Sequence, residues 1–170
     1  GVAFDVVHTE QPGHGAEIAT TALLRGRRHL AVAGGDGSVN EAVHGIMNAG
    51  LADTRDVTLA VIPTGTGNDW ARTLGITRRP GDIARAISGG RTMLHDVGAI
   101  DLPGCDPARR WFINVAGAGY DAYVTERVPR PVPSAFTYLR IALEGLARYR
   151  APHFRIAADG VTIEGPLLLA

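Results

Sequence analysis

Lysine is absent from this chain of 170 residues, so arginine supplies all 17 of its basic side chains. A phosphate-binding loop of the GxxxxGK[ST] type therefore cannot exist here, and neither can the strand lysine of a protein kinase. Any phosphate chemistry in this protein must rely on backbone amides, arginine side chains and a metal ion.

Cysteine, net charge and long apolar runs are also scarce. The single cysteine, Cys105, excludes disulfide frameworks and cysteine-based zinc sites, and it is in keeping with a reducing, cytoplasmic compartment. A net charge of zero creates no overall field that would recruit nucleic acid, so we expect no nucleic-acid partner. No apolar run approaches the roughly 20 residues of a membrane-spanning helix and no signal peptide pattern opens the chain, so we expect any membrane contact to be peripheral.

Residues 1–90 alternate between strand and helix patterns. Apolar strand patterns occupy residues 2–7, 29–33 and 57–62, and helical spacing occupies residues 16–24, 39–49, 68–74 and 81–88. This alternation predicts an α/β domain over residues 1–90 with a doubly wound, mainly parallel sheet.

After residue 90 the pattern predicts the start of a β-rich second domain with inserted helices, over residues 91–170. Mixed strands are expected at residues 91–102 and 110–116, a helix at 134–150, and a hairpin of residues 154–158 and 161–169. We interpret Asp159 and Gly160 as the turn of that hairpin. Because the last residues are apolar and stop in mid-strand, we expect the natural chain to continue.

A first glycine-rich loop, residues 34–41, follows the second strand pattern and opens a helix. Glycines let the backbone approach a bulky anion, and the free amides at a helix start attract phosphate. Ser38 offers a hydroxyl, whereas Asp36 suits this place only through Mg²⁺ or through a hydrogen bond to ribose or backbone. The same pattern is compatible with a tight turn whose Asp and Asn only cap the helix.

A second loop, residues 63–69, occupies the same structural place after the next strand pattern. Loops that follow successive parallel strands face each other at the carboxyl edge of the sheet, where open α/β folds bind their ligands. The pair of loops therefore predicts a phosphate-binding site more strongly than either loop alone.

Four segments of the chain resemble the catalytic domain of diacylglycerol kinases, sphingosine kinases and their bacterial relatives. They read GGDGSVNEAVHG, IPTGTGNDWARTLG, LHDVGAID and FINVAGAGYDAYV, in the order and rough spacing of that family. The resemblance covers nearly the whole chain and implies an ATP- and Mg²⁺-dependent kinase that phosphorylates a hydroxyl of diacylglycerol or a related lipid. It implies a lipid acceptor and peripheral membrane contact, and it leaves a homodimer open.

The loops and the resemblance together assign the candidate site residues. The expected nucleotide contacts are Thr9, Gly34, Gly35, Asp36, Gly37, Ser38, Val39, Asn40, Glu41, Gly65, Thr66, Gly67 and Asn68. Asp36 and Asp69 match acidic positions near the phosphates and the metal ion. The resemblance implies that the general base lies beyond residue 170, so no catalytic residue is assigned.

Two other functions stay open at this point. NAD kinases share the GGDG loop, but their Asn-Glu pair lies on a later segment, whereas Asn40 and Glu41 continue the first loop here. A non-catalytic nucleotide-binding module would also keep both loops. We interpret Trp70 as a packing anchor and assign no role to Asp96 or Asp101.

Overall fold

The first part of the chain forms a parallel pair of short strands, with helices before and after each strand. The structure is a computed structural model, and it describes residues 3–102, 104–106, 108–129, 134–158 and 160–168. The chain divides into two units, Gly1–Asn114 and Val115–Ala170. The division into domains after residue 90 stays a prediction.

The elements of the first unit follow the predicted alternation. They are α1 (His14–Leu24), β1 (His29–Gly34), α2 (Asp36–Asn48), a 3₁₀ turn (Thr54–Asp56), β2 (Thr58–Pro63), α3 (Asp69–Thr73), α4 (Pro80–Ser88), β3 (Gly98–Asp101) and β4 (Arg109–Phe112). The parallel α/β class expected from the sequence is confirmed, and antiparallel pairs follow it along the chain.

β1 and β2 pair in parallel, with His29 opposite Thr58 and Gly34 opposite Pro63. A parallel pair needs a crossover between its strands, and α2 supplies it here. Because both strands end at the same edge, the segments that follow Gly34 and Pro63 begin side by side.

α1 and α2 pack closely because α2 has a glycine at their point of contact. A Cβ on Gly45 of α2 would lie 2.3 Å from the carbonyl oxygen of Ala16. Leu23 and Ile46 are buried where these helices meet, and a second buried cluster contains Val39 and Trp70. Val39 and Ile46 are seven residues apart, so α2 contributes to both clusters from the same face.

The β3–β4 pair is attached to α2 through Trp111. The Trp111 backbone N–H donates to Nε2 of His44 at 3.3 Å, and its indole N–H donates to Oδ1 of Asn48 at 3.1 Å. Burial and then the positive charge of Arg110 lower the pKa of His44, which suits a neutral imidazole that accepts this hydrogen bond.

Three strand predictions need correction. Residues 3–10 contain neither helix nor strand, and Phe4 and Val6 are exposed, so the predicted strand at residues 2–7 is wrong over the residues described. An apolar run forms a strand only where a neighbouring strand satisfies its amides. For the same reason the strands predicted at residues 91–102 and 110–116 shrink to the mutually paired β3 and β4.

The second unit contains α5 (Tyr120–Arg127), α6 (Ala135–Arg148), β5 (His153–Ala158) and β6 (Val161–Pro166). α6 begins where Ser134 accepts a hydrogen bond from the Thr137 N–H at 3.1 Å, so the helix predicted from sequence is confirmed. The hairpin of β5 and β6 is confirmed too, and Gly160 has the positive φ of 80° that its turn requires. Asp159 lies outside the described residues.

Two features of the second unit were not predicted. α5 begins after Gly119, whose φ of 96° excludes most other residues, and Asp121 lies in its first turn. Most large apolar side chains of α6 are exposed, among them Phe136, Leu139, Leu143 and Leu146. Within the part of the chain that the structure describes, no helix is both long and apolar enough to cross a membrane.

Candidate functional site

The two glycine-rich loops touch each other at the carboxyl edge of β1 and β2. A Cβ on Gly65 would lie 2.5 Å from the Cα of Gly35, so the second loop needs glycine at this point of contact. The N–H groups of Thr64 and Gly65 donate to the carbonyl oxygen of Gly34 at 3.1 and 3.4 Å. The expectation that the loops face each other is confirmed.

Asp36 of the first loop caps the helix that follows the second loop. Its Oδ2 accepts the Asp69 N–H and its Oδ1 accepts the Trp70 N–H, each at 3.0 Å. These amides belong to the first turn of α3, whose own N-cap residue, Asn68, makes no capping side-chain bond. Of the roles open to Asp36, the structure displays the hydrogen bond to backbone.

Asn68 has an unusual conformation and an unpaired acceptor. Its φ of 53° is left-handed, and its Nδ2 donates to the carbonyl oxygen of Gly65 at 2.6 Å. The residue is 4% exposed, yet its Oδ1 has no hydrogen-bond partner among the residues described. An unsatisfied buried acceptor costs about 1–3 kcal/mol, so a ligand that donates to this oxygen would relieve a cost that the loop already bears.

Glu41 reaches a third segment, at the start of α1. Its Oε1 accepts the Gly13 N–H at 2.8 Å and its Oε2 accepts the Gly15 N–H at 3.0 Å. The carboxylate therefore satisfies free amides at the start of one helix from the face of another. Thr9 lies shortly before this contact and is exposed.

Backbone amides of the first loop remain suited to an anion. Asp36, Gly37 and Ser38 form the first turn of α2, where N–H groups have no carbonyl partner within the helix. Gly37 and Ser38 are exposed, and a Cβ on Gly34 would lie 2.5 Å from Oγ of Ser38. The glycine thus leaves room for the serine hydroxyl beside these amides, as phosphate binding would require.

Two carboxylates flank the second loop at Gly67. A Cβ on this glycine would lie 3.2 Å from Oδ2 of Asp36 and 3.7 Å from Oδ2 of Asp69. Over the described ranges, no three His, Cys, Asp or Glu side chains are grouped so that they could hold a metal ion. Mg²⁺ is commonly bound by one or two carboxylates together with substrate phosphates and water, so the donor set of this pair fits Mg²⁺ on a nucleotide.

Two arginines contact this region, and sequence analysis assigned neither. Arg72 pairs with Asp69 within α3. Arg78 donates through Nη2 to the carbonyl oxygens of Gly65 and Thr66, the latter at 3.3 Å. No local pattern marks Arg78, although the absence of lysine shows that any permanently charged basic side chain here must be arginine.

Trp70 is a packing anchor, as expected. It is 6% exposed within a core cluster, and its indole N–H lies 3.0 Å from Nε2 of His95. Asp96 is exposed beside His95 in sequence, and Asp101 pairs with Arg109 across β3 and β4 at 2.7 Å. These contacts give Asp101 a structural role.

The second unit contains a separate cavity of about 350 Å³. Most of the residues that line this cavity are apolar or aromatic. The lining residues are Val115, Ala116, Gly117, Tyr120, Asp121, Val124, Tyr138 and Ala142. Asp121 is the only carboxylate among them. The segment GAGYDAYV lies within one of the four segments that carry the family resemblance, but nothing in its sequence predicted a cavity.

Comparison with known proteins identifies relatives for nearly the whole chain. The family model described as "Diacylglycerol kinase catalytic domain" matches residues 1–100. The chain is 34% identical over 163 residues to a diacylglycerol kinase of Bacillus subtilis (strain 168), covering 92% of this chain and 50% of that protein. It is 36% identical over 148 residues to a diacylglycerol kinase of Mycobacterium tuberculosis (strain H37Rv), covering 84% of this chain and 45% of the relative.

A solved structure from Bacillus anthracis str. Sterne has the same fold. It superposes with a TM-score of 0.61 at 26% identity, covering 96% of this chain and 51% of that one. The chain thus spans about half the length of the relatives it matches.

Proposed function

This chain belongs to the diacylglycerol kinase catalytic domain family, a family of lipid kinases, and on that premise we propose that it binds ATP for transfer of the γ-phosphoryl group to a lipid hydroxyl. The contact between Gly35 and Gly65, beside the free amides of α2, is the observation that carries this proposal. The acceptor is diacylglycerol or a related lipid.

The first turn of α2 binds the nucleotide phosphates in this proposal. Its amides and the Ser38 hydroxyl are donors, and the helix dipole favours an anion at that end. Catalysis of phosphoryl transfer consists largely of positioning and electrostatic stabilisation, which fixed backbone donors supply without reorganisation.

Mg²⁺ would be held by Asp36 and Asp69, and when bound it would neutralise charge on the phosphates. Asp36 has a second task, since its carboxylate already accepts two amides of α3. A carboxylate has about four lone-pair sites, so two amides leave capacity for further contacts. In this proposal the Glu41 carboxylate also holds the start of α1.

The cavity of the second unit is the candidate for the lipid acceptor. Its walls are mostly apolar, which suits acyl or glycerol carbons, and Asp121 can accept a hydrogen bond from a hydroxyl. Peripheral contact with a membrane would bring such a substrate within reach. The exposed apolar side chains of α6 and its basic residues Arg140 and Arg148 are suited to that contact.

A calorimetric titration with MgATP tests the nucleotide part of this proposal. We expect the chain to bind MgATP and Asp36→Asn to bind it more weakly, while Asp106→Asn, which removes an exposed charge elsewhere, binds as the parent does. Equal affinity in all three proteins would show that the phosphates and metal do not lie at Asp36.

An assay of lipid phosphorylation tests the part of the proposal that concerns the acceptor. The assay uses the protein in its longest natural form. Dispersed diacylglycerol and NAD are offered separately with labelled ATP, and the products are separated by extraction. Label in the lipid phase supports the proposal. Label in NAD alone would replace it with a NAD-kinase-like function, and nucleotide binding without either product would favour a non-catalytic module.

A further inference from the structure

One exposed arginine lies on the second glycine loop. Arg78, between α3 and α4, donates through Nη2 to the carbonyl oxygens of Gly65 and Thr66. Gly65 is also the residue whose backbone touches Gly35. The guanidinium group is therefore attached to the loop at the point where both loops meet.

The carboxylates around these loops create an electrostatic problem for a phosphate ligand. Asp36 and Asp69 flank Gly67, and Glu41 lies further along α2. A nucleoside triphosphate carries several negative charges, so these carboxylates would still repel its phosphates if a metal ion were the only positive charge beside them. The chain contains no lysine that could balance it.

The two arginines near the loops differ in how their charge is used. Arg72 donates to the Asp69 carboxylate, which neutralises its charge locally. The hydrogen bonds of Arg78 go to neutral carbonyl oxygens, so its charge is not cancelled by them. A guanidinium has five N–H donors in a planar fork, and two carbonyls leave donors free for a phosphate.

We infer that Arg78 is a phosphate-binding residue of this site, joining the second glycine loop to the phosphates of a nucleoside triphosphate. The inference rests on the proposed nucleotide function and adds a side chain that it does not require. Because Arg78 is exposed, its guanidinium can turn towards a phosphate while one N–H stays on the loop.

Four proteins test this inference: the parent chain, Arg78→Gln, Arg78→Lys and the neighbouring Arg79→Gln. Arg79 is the matched control because the hydrogen bonds found in the described part of the chain include none from its side chain. MgATP affinity is measured by calorimetry at low and at high salt, and thermal unfolding establishes that every variant is folded.

Arg78→Gln should weaken MgATP binding roughly ten- to hundredfold at low salt, the loss expected for a charge-assisted hydrogen bond. Salt screens a charge-to-charge contact, so this gap should shrink at high salt. Arg78→Lys should recover part of the affinity, and Arg79→Gln should match the parent.

Two results would overturn the inference while the proposed function stands. The first is Arg78→Gln that binds MgATP as the parent does. The second is a weakened Arg78→Gln whose gap from the parent does not change with salt, because that result would give Arg78 a purely structural role in holding the loop. If the parent chain binds no MgATP, the nucleotide part of the proposed function fails and this inference fails with it.

Discussion

Replacing Asp36 by alanine removes the cap of α3. The carboxylate accepts two first-turn amides at 3.0 Å, and the Trp70 N–H is partly buried. Loss of an N-cap side chain costs about 0.5–2 kcal/mol, and loss of the favourable charge at a helix start adds about 0.3–1 kcal/mol. We therefore expect Asp36→Ala to lower the free energy of unfolding by about 2 kcal/mol.

Chemical denaturation followed by circular dichroism measures this loss on the chain itself. Asp36→Asn keeps one acceptor oxygen, so we expect roughly half the loss, about 1 kcal/mol. Asp69→Ala is the control on the same helix, because its exposed pair with Arg72 is worth less than about 1 kcal/mol. The slope of the transition should be the same in all variants.

An Asp36→Ala variant within about 0.5 kcal/mol of the parent would refute the capping argument. An Asp36→Asn variant as unstable as Asp36→Ala would show that the charge, rather than the acceptor geometry, stabilises α3. Comparison with MgATP binding then separates two roles of this residue, since a folded Asp36→Asn that binds MgATP poorly indicates a metal or phosphate role beyond the cap.

Three further changes test the packing and the charge of the first unit. Gly65→Ala should lower the free energy of unfolding, measured by chemical denaturation, by about 1–3 kcal/mol, because its Cβ would lie 2.9 Å from Oδ1 of Asn68. Gly37→Ala is the control: a Cβ there meets nothing within 4 Å, so stability should change by less than about 1 kcal/mol. Asn68→Ala should be less stable than Asn68→Gly, because alanine is strained at a φ of 53° and glycine is not; equal melting temperatures would contradict this. The pKa of His44 lies below its ordinary value of about 6.5, so the folded state resists protonation and stability should fall as pH drops below about 6.5. Urea midpoints at neutral and mildly acidic pH should differ less in His44→Gln than in the parent, and an unchanged difference would exclude His44 as a cause.

Much of the first unit could be predicted from local patterns. The helices α1, α2, α3 and α4 and the strands β1 and β2 lie close to their predicted positions, because amphipathic spacing, short apolar runs and glycine boundaries are properties of neighbouring residues. α5 was missed because its eight residues carry little apolar periodicity. The strand predicted at residues 2–7 failed because strand formation needs a partner, and a run of residues does not reveal whether one is present.

The roles of the site's charged side chains could not be predicted in this way. The expected nucleotide contacts of Asp36 and Glu41 stay a prediction, and the sequence did not show that their carboxylates also accept amides 33 and 28 residues away along the chain. Arg78 was not selected at all, since nothing near it in sequence shows that its guanidinium returns to Gly65. Each of these contacts depends on how helices and loops are placed around the sheet.

The sequence by itself determined that two glycine-rich loops follow successive parallel strands and that any permanently charged cationic side chain beside them is arginine. Both conclusions need only strand order and composition, because parallel strands end at one edge. The tertiary structure alone decided which loop atoms meet, which carboxylates serve as helix caps and which arginine lies on the second loop. Those outcomes depend on long-range packing, in which a free amide is satisfied by the acceptor that folding places beside it, however distant that acceptor is in sequence.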